Sequence, residues 1–466
     1  MAETLATAFD ARRIHTIMVS LVVTMFIGSV EQAIVSPALH AMGLAFHAPG
    51  AVSWIVTGYL LCATPGTLIA GAVSDIWGRR ATLIVSLAIF ILGSVLCAAA
   101  GSMAMLVAGR MMQGCGGGGL LAVPNTIIAD LVAPRERGKY QVYISGTYAF
   151  AGLFGPVAGG YLANTLSWRG VFWVFVPLAA LAVLAAGRSL RGLPPPKARR
   201  RFDGLGAALL AAVMVCLLLA VHALGAGAWP RFALLLALSA GLGFAFIRWE
   251  MSRRDPLLPV AILGSRIASA TSAVGFCVMA VNASLAAYLP LYYETRFGFS
   301  MSAAGLALTL PLVGIVAGAY GAGQYMRLTG RYKLPPVAGS MISGAAYLGL
   351  AAGGAALRPE IYGLTLLAGV GAGSCLPPML VALQNSVPRQ LMGVATALQM
   401  CFRSVGGMMG VAIFGLAVLA PKPGTWGFEL FFTGSAAVLA LAALVSALLL
   451  PERPFRAMAA VLEEAD

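Results

Sequence analysis

The stretch Gly71-Ala-Val-Ser-Asp-Ile-Trp-Gly-Arg-Arg-Ala-Thr-Leu83 is a short polar segment between two long apolar runs. Its first glycine and Gly78 bracket Asp75, and Arg79 and Arg80 follow directly. The two arginines could simply be the positive charges that keep a loop on the cytoplasmic side of a membrane. That explanation does not cover an acid so close to hydrocarbon, which is costly, or glycines at the spacing of a tight turn. The segment therefore indicates a loop between two membrane helices that does more than set topology.

A weaker copy of this segment, Gly323-Gln-Tyr-Met-Arg-Leu-Thr-Gly-Arg-Tyr-Lys333, follows later in the chain. It suggests an internal duplication of the kind that transporters carry. Arg327 stands in the copy where Asp75 stands in the first segment. We therefore expect the second half to lack the charge contact that the first half can make.

The composition is that of a polytopic membrane protein. Of 466 residues, 60% are hydrophobic and only 10% are charged, which is too apolar for an ordinary soluble protein. The net charge of +14 is scattered over short loops, so it predicts membrane topology and not a nucleic-acid partner. The seven cysteines lie singly in apolar runs, without metal-ligand spacing. With no phosphate-binding loop and no nucleophile–base set, we expect no enzyme activity, no metal and no cofactor.

Apolar runs of about 20 residues predict fourteen membrane helices. The polar N-terminus is followed by Arg12 and Arg13, so we expect the first run to be a permanent span and not a cleavable signal peptide. Approximate limits of the spans are 14–39, 50–74, 80–100, 104–128, 140–162, 170–187, 204–224, 232–248, 266–293, 301–325, 335–354, 361–383, 392–418 and 425–450.

The basic residues predict the orientation and the division of the chain. Most of the 30 lysines and arginines fall in inner loops when both termini are cytoplasmic, as the positive-inside rule requires. The predicted units are an N-terminal six-helix bundle (1–188), a linker with two additional helices (189–262) and a C-terminal six-helix bundle (263–466). The linker carries a basic cluster at 197–201, expected on the inner face, and its two helices are interpreted as lipid-facing supports.

Two opposite charges occur inside predicted spans, at similar depth. Glu31 lies in the first span and Arg110 in the fourth, and counting at the helical rise places each roughly 10 Å below the outer surface. Charges in hydrocarbon are expensive and mark function. A carboxylate held between burial and an opposite charge can bind and release a proton as a cavity opens and closes. The alternative is that either side chain extends to the membrane surface.

Two further features lie in spans thirteen and five. Arg403 falls near the middle of its span with no acid at that depth, so it contacts either backbone carbonyls or an anionic group of a substrate. In span five, Pro156 removes a helical hydrogen bond, while Gly155 and Gly159 permit tight helix contact. This helix is either a deformable contact or a static kink.

At these residues the chain resembles the major facilitator superfamily, specifically its fourteen-span drug:proton antiporter branch, over nearly its whole length. The first segment matches the signature loop that latches the cytoplasmic side in that family. The span-four residues match its Arg-x-x-Gln-Gly motif, which is linked to proton coupling, and span five resembles its antiporter motif. Glu31 departs from the family pattern, which has Asp there. The matched residues are Asp75, Arg79, Arg80, Arg110, Gln113, Gly114, Gly155, Pro156, Gly159 and Gly160.

The resemblance implies a monomeric, all-α, proton-driven exporter of small amphipathic compounds that works by alternating access in the cell membrane, taken to be a bacterial inner membrane. Its partners would be the lipid bilayer, the substrate and protons. Sparse polar residues in an apolar pocket are the lining candidates: Glu31, Gln32, Tyr59, Arg110, Tyr148, Asn282, Gln399 and Arg403. An alternative is a dedicated exporter of a lipid or anionic metabolite, recognised by Arg403. A receptor or scaffold would want a large soluble domain, for which the loops are too short.

Overall fold

A computed structural model describes most of the chain. The described residues are 11–48, 51–132, 134–192, 202–225, 227–253, 256, 262, 264–299, 307–352, 358–388, 391–418 and 426–451. The predicted basic cluster at 197–201 lies outside them.

Long helices make up almost all of the described chain. A 3-10 turn (Ser36–Ala38) and a short helix (Leu39–Ala45) follow the first of them, and a short helix (Gly170–Trp173) precedes the sixth. The long helices are α1 (Ala11–Val35), α2 (Val52–Trp77), α3 (Arg79–Ala98), α4 (Met103–Leu131), α5 (Pro134–Thr165), α6 (Phe175–Ser189), α7 (Gly204–Gly225), α8 (Trp229–Met251), α9 (Arg266–Phe297), α10 (Thr309–Thr329), α11 (Leu334–Ala352), α12 (Arg358–Asn385), α13 (Met392–Val418) and α14 (Trp426–Leu449).

Eleven helical segments in the described part are long and apolar enough to cross a membrane. The helices outside that set are α4, α5 and α10. Glycine and polar side chains dilute the apolar character of α4 and α10, and α5 begins with a charged run. The all-helical membrane fold is therefore as predicted, while the count of fourteen spans stays a prediction.

Three apolar cores hold the helices together. One is formed by buried residues between Ile17 and Leu190, and a second by residues between Ala270 and Leu450. The third lies where the two helix groups meet and draws on α2, α4, α7, α8, α9, α12 and α13. Because lipid is as apolar as these cores, close packing of shapes contributes more to their stability than removal from water does.

The helix α7 occupies the seam between the two groups. It packs against both α2 and α13, and Met214 Sδ lies 3.4 Å from Cys401 Sγ on α13. The prediction that these helices face lipid fits α8, since only 11% of its most apolar 18-residue stretch is buried. It is wrong for the side of α7 that packs against α2 and α13. The sequence of α7 is apolar all round, so it carried no signal for a face that contacts protein.

Candidate functional site

Glu31 on α1 and Arg110 on α4 form an ion pair in the interior of the first helix group. Their side chains are 0% and 1% exposed. Arg110 also donates from Nη1 to Gln113 Oε1 at 2.6 Å and from Nε to the Ile55 carbonyl at 3.1 Å. The predicted adjacency of the two charges is therefore present, and neither side chain extends to the surface.

Aromatic rings and a hydroxyl surround this pair. The guanidinium carbon of Arg110 lies 4.5 Å from the ring centroid of Tyr59 and 5.9 Å from that of Phe172. Gln113 in turn donates to Ser94 Oγ at 2.9 Å. Burying two ions is costly unless their remaining hydrogen-bonding groups are satisfied. The ring and amide contacts satisfy the guanidinium and hold it in one orientation.

The carboxylate of Glu31 is less well satisfied than the guanidinium. Oε1 accepts from Arg110, whereas Oε2 is buried without a hydrogen bond of acceptable geometry from any described residue. The hydroxyl of Tyr59 lies near the carboxyl group, but it does not complete that bond. An unsatisfied buried carboxylate oxygen is unfavourable, and a proton bound there would remove the charge.

The loop between α2 and α3 is built around Asp75 and Arg79. Gly78 has φ of 95°, which a side chain disfavours, and this lets α3 start directly after α2. Arg79 pairs with Asp75 and also donates from Nε to Asp130 Oδ2 of α4 at 2.9 Å. Arg80 points elsewhere and donates to the Gly187 carbonyl at 3.0 Å.

The same Asp75 joins the two helix groups. Its Oδ1 accepts from the Gly393 amide at 3.1 Å and its Oδ2 from the Val394 amide at 3.0 Å. These amides are in the first turn of α13, where helical N–H groups lack internal partners and the dipole favours an anion. A Cβ on Gly71 would lie 2.5 Å from Ala397 Cβ, so a glycine is needed for this approach.

Arg403, Gln399 and Tyr148, three of the predicted substrate residues, lie together. Arg403 and Gln399 are one turn apart on α13, and Tyr148 of α5 lies near Arg403 and Ser29. Gln399 is 1% exposed. Gln32 is exposed beside the buried ion pair, and its side chain interacts with Tyr59.

Asn282 lies at a small cavity within the C-terminal helices. It lines a small cavity among α9, α10, α11, α12 and α14, with Ser343 and Tyr347 on the far wall. Its predicted contact with substrate stays a prediction. The depth of Asn282 in its span could be counted from the sequence, but the direction of its side chain could not.

The glycines of the span-five motif divide into two kinds. Gly155 is packed against Ala33, and Gly159 against the backbone of Ile34, so both bring α5 onto α1 just beyond Glu31. Gly160 has open space where a Cβ would be, and Pro156 is exposed. Only the first two glycines make the predicted tight contact.

Sequence reasoning missed a buried amide between the groups. Gln384 of α12 donates to Thr396 Oγ1 at 3.0 Å and contacts the Asn125 carbonyl of α4 at 3.5 Å. It is 2% exposed, and the cost of a polar group in an apolar span could have singled it out. Asp130 and Gly393 were also missed, because their importance depends on partners distant in sequence. No group of described residues is arranged to hold a metal ion.

Comparison with known proteins gives a consistent result. The family model described as Major Facilitator Superfamily matches residues 21–411. An uncharacterised MFS-type transporter of Mycobacterium tuberculosis is 32% identical over 86% of this chain, and the chain spans 59% of that relative's length. The multidrug transporter protein MdtP of Bacillus subtilis is 28% identical over 88% of this chain and 76% of its own length.

Solved structures share the fold. The human organic anion transporter MFSD10 superimposes with a TM-score of 0.70 at 16% identity, covering 93% of this chain and 99% of its own. The proton:xylose symporter XylE superimposes with a TM-score of 0.68 at 16% identity, covering 97% of this chain and all of its own.

Proposed function

The chain belongs to the major facilitator superfamily, and from this premise we propose that it is a proton-coupled antiporter that exports amphipathic compounds by alternating access. Relatives named as an efflux pump of Gibberella moniliformis, 30% identical, and as the Bacillus multidrug transporter support export. The proposal includes fourteen spans with both termini cytoplasmic in a cell membrane. It treats α1–α6 and α9–α14 as the two bundles that rock against each other.

One observation carries the coupling step. The Glu31 carboxylate is buried against Arg110, and its Oε2 accepts no hydrogen bond of acceptable geometry from any described residue. Neutralisation of this group by a proton weakens the ion pair, which frees α1 from α4. Gly155 and Gly159 transmit the change, since they hold α5 against the next turn of α1.

The proposed cycle couples this proton site to the latch. The structure has Asp75 bound to the first turn of α13, which closes the end of the molecule where α2 meets α3. Opening that end requires these hydrogen bonds to break while the bundles close elsewhere. A proton on Glu31 and a substrate between the bundles then bias opposite states, which is the linkage that an antiporter needs.

The test is gradient-driven uptake into proteoliposomes. Three fluorescent probes share an apolar body and differ in charge: pyrenebutyrate, pyrenebutanol and pyrenebutyltrimethylammonium. With an acid lumen, proton exit should drive uptake of at least one probe beyond that of empty liposomes. Glu31→Gln should abolish this uptake while keeping a folded, monodisperse protein. Glu294→Gln, at the end of α9, is the matched control and should transport normally.

Two results would contradict the proposal. Undiminished uptake by the Glu31→Gln protein removes this carboxylate from the coupling step. Uptake by the unsubstituted protein that is the same with and without the pH gradient removes proton coupling altogether.

A further inference from the structure

The second arginine inside the helices, Arg403, lacks the counter-ion that Arg110 has. No described carboxylate lies within ion-pair distance of it, and among the residues that the structure describes its guanidinium donates only to Met279 Sδ, at 3.9 Å. The side chain of Arg403 is only partly buried, and a guanidinium inside a membrane span without an anionic partner is still costly. This arrangement differs from the carbonyl contacts that one sequence interpretation expected.

The side chain one turn earlier on α13 is also unsatisfied. Gln399 is 1% exposed, and its Oε1 has no hydrogen-bond partner among the described residues. Buried amides are almost always paired. Two polar side chains with open bonding capacity thus lie on the same face of α13.

A glycine of the neighbouring helix packs closely against this pair. Gly275 of α9 faces both side chains, and a Cβ there would lie 3.2 Å from Arg403 Cγ and 4.0 Å from Gln399 Nε2. The opposite side is provided by the other helix group, where Tyr148 lies close to Arg403 and to Ser29 of α1. Polar side chains from both groups therefore lie within electrostatic range of each other in this region.

We propose that Arg403, Gln399 and Tyr148 form a subsite for the anionic head, a carboxylate or phosphate, of an amphipathic substrate. A guanidinium offers a planar fork that matches such oxyanions. The Tyr148 hydroxyl and the Gln399 Nε2 group can donate as well, whereas the unpaired Gln399 Oε1 is an acceptor and does not contribute to anion binding. The inference deepens the proposed export function, on which it rests, by assigning the charge of the substrate.

The location of the subsite gives it a role in transport. An anion bound there contacts α13 of one group and α5 of the other. It supplies the missing counter-charge, so occupancy favours the arrangement in which the two groups enclose the substrate. Release is favoured when α13 and α5 separate, because the anion then keeps only part of its donors.

The test compares binding of pyrenebutyrate and pyrenebutyltrimethylammonium to the purified protein by fluorescence polarisation. The unsubstituted protein should bind the carboxylate at least about tenfold more tightly, the typical worth of one charge-assisted hydrogen bond. Arg403→Gln should weaken carboxylate binding about 10- to 100-fold and leave ammonium binding within about twofold. Arg403→Lys keeps the charge without the fork, so its affinity should be intermediate.

Arg231→Gln, an exposed arginine at the start of α8, is the matched control and should bind both probes normally. Equal or tighter binding of the ammonium probe by the unsubstituted protein overturns the inference, and this comparison needs no variant to fold. Equal weakening of both probes in a folded Arg403→Gln protein also overturns it.

Nanodiscs distinguish two sources of the anion. If the natural ligand is a lipid headgroup, phosphatidylglycerol should compete with pyrenebutyrate while phosphatidylcholine does not. If it is a soluble amphipathic acid, both lipids should leave binding unchanged; either result supports an anion subsite.

The inference and the proposed function fail separately. Carboxylate-selective binding with uptake that ignores the pH gradient contradicts the antiporter and keeps the subsite. Gradient-driven uptake of the ammonium probe without carboxylate selectivity contradicts the subsite and keeps the antiporter.

Discussion

Replacing Asp75 by Asn should open the contact between α2 and α13. In the structure each carboxylate oxygen accepts one backbone amide, from Gly393 at 3.1 Å and from Val394 at 3.0 Å. An asparagine keeps one acceptor oxygen and turns an NH₂ group toward the other amide. One charge-assisted hydrogen bond is then lost and the second is weakened.

The size of the effect follows from these contacts. A hydrogen bond to a charged group contributes about 2 kcal/mol and a neutral one about 1 kcal/mol. Losing the first and converting the second destabilises the closed contact by about 3 kcal/mol, before any loss of attraction to the helix dipole. This corresponds to roughly a 150-fold shift toward the open state.

Hydrogen–deuterium exchange measures this shift directly. The amides of Gly393 and Val394 are the groups that Asp75 protects, so peptides covering the start of α13 should exchange up to about 150-fold faster in Asp75→Asn when local opening limits exchange. The rest of α13 should change less. The transport rate should fall, because the state with the α2–α13 contact closed becomes too sparsely populated for the protein to alternate between its closed and open states.

A second helix-capping aspartate provides the control. Asp203 accepts from the Gly206 amide at 2.9 Å and from Trp249 Nε1 at 2.9 Å, which ties α7 to α8 and leaves the α2–α13 contact untouched. Asp203→Asn should speed exchange at the start of α7 alone. Unchanged exchange at Gly393 and Val394 in Asp75→Asn, or the same change there in Asp203→Asn, refutes the reasoning.

Two further predictions concern α1. Gly159→Ala should lower the melting temperature and the transport rate, because its new Cβ would overlap the Ile34 backbone. Gly160→Ala is the control and should be neutral, because a Cβ there meets no described atom within 4 Å. Equal melting temperatures of the two variants would exclude the tight contact. Glu31→Ala leaves Arg110 buried without its partner and should cost about 3–5 kcal/mol, seen in thermal unfolding. Adding Arg110→Gln to that variant removes the unpaired charge and should recover part of the lost stability. A double variant less stable than Glu31→Ala would show that the unpaired Arg110 charge is not the cause of the loss.

The buried ion pair could be predicted because helix geometry in a membrane is nearly one-dimensional. Each residue advances a fixed 1.5 Å, so the depths of Glu31 and Arg110 followed from counting. The high cost of a charge in hydrocarbon then favoured contact between opposite charges at one depth over extension of either side chain to the membrane surface. The structure confirms their contact.

The latch could be predicted only in part. The turn at Gly78 and the pairing of Asp75 with Arg79 are local, and residue type and spacing are enough to expect them. The amides of Gly393 and Val394 lie 318 and 319 residues away in the chain. Backbone N–H groups carry no sequence signature, so nothing in the sequence named them as partners.

The sequence by itself determined the class of protein, the positions of its helices and the few residues whose burial demands a partner. Only the tertiary structure decided which faces meet: α7 lies in the seam, Asn282 lines a cavity of the C-terminal helices, a Cβ on Gly160 would meet no described atom within 4 Å, and Arg403 interacts electrostatically with Tyr148. The physical reason is that lipid and protein interior are equally apolar. Hydrophobic patterning therefore does not distinguish the two, and the faces are selected by shape, glycine contacts and polar pairs that form between distant segments.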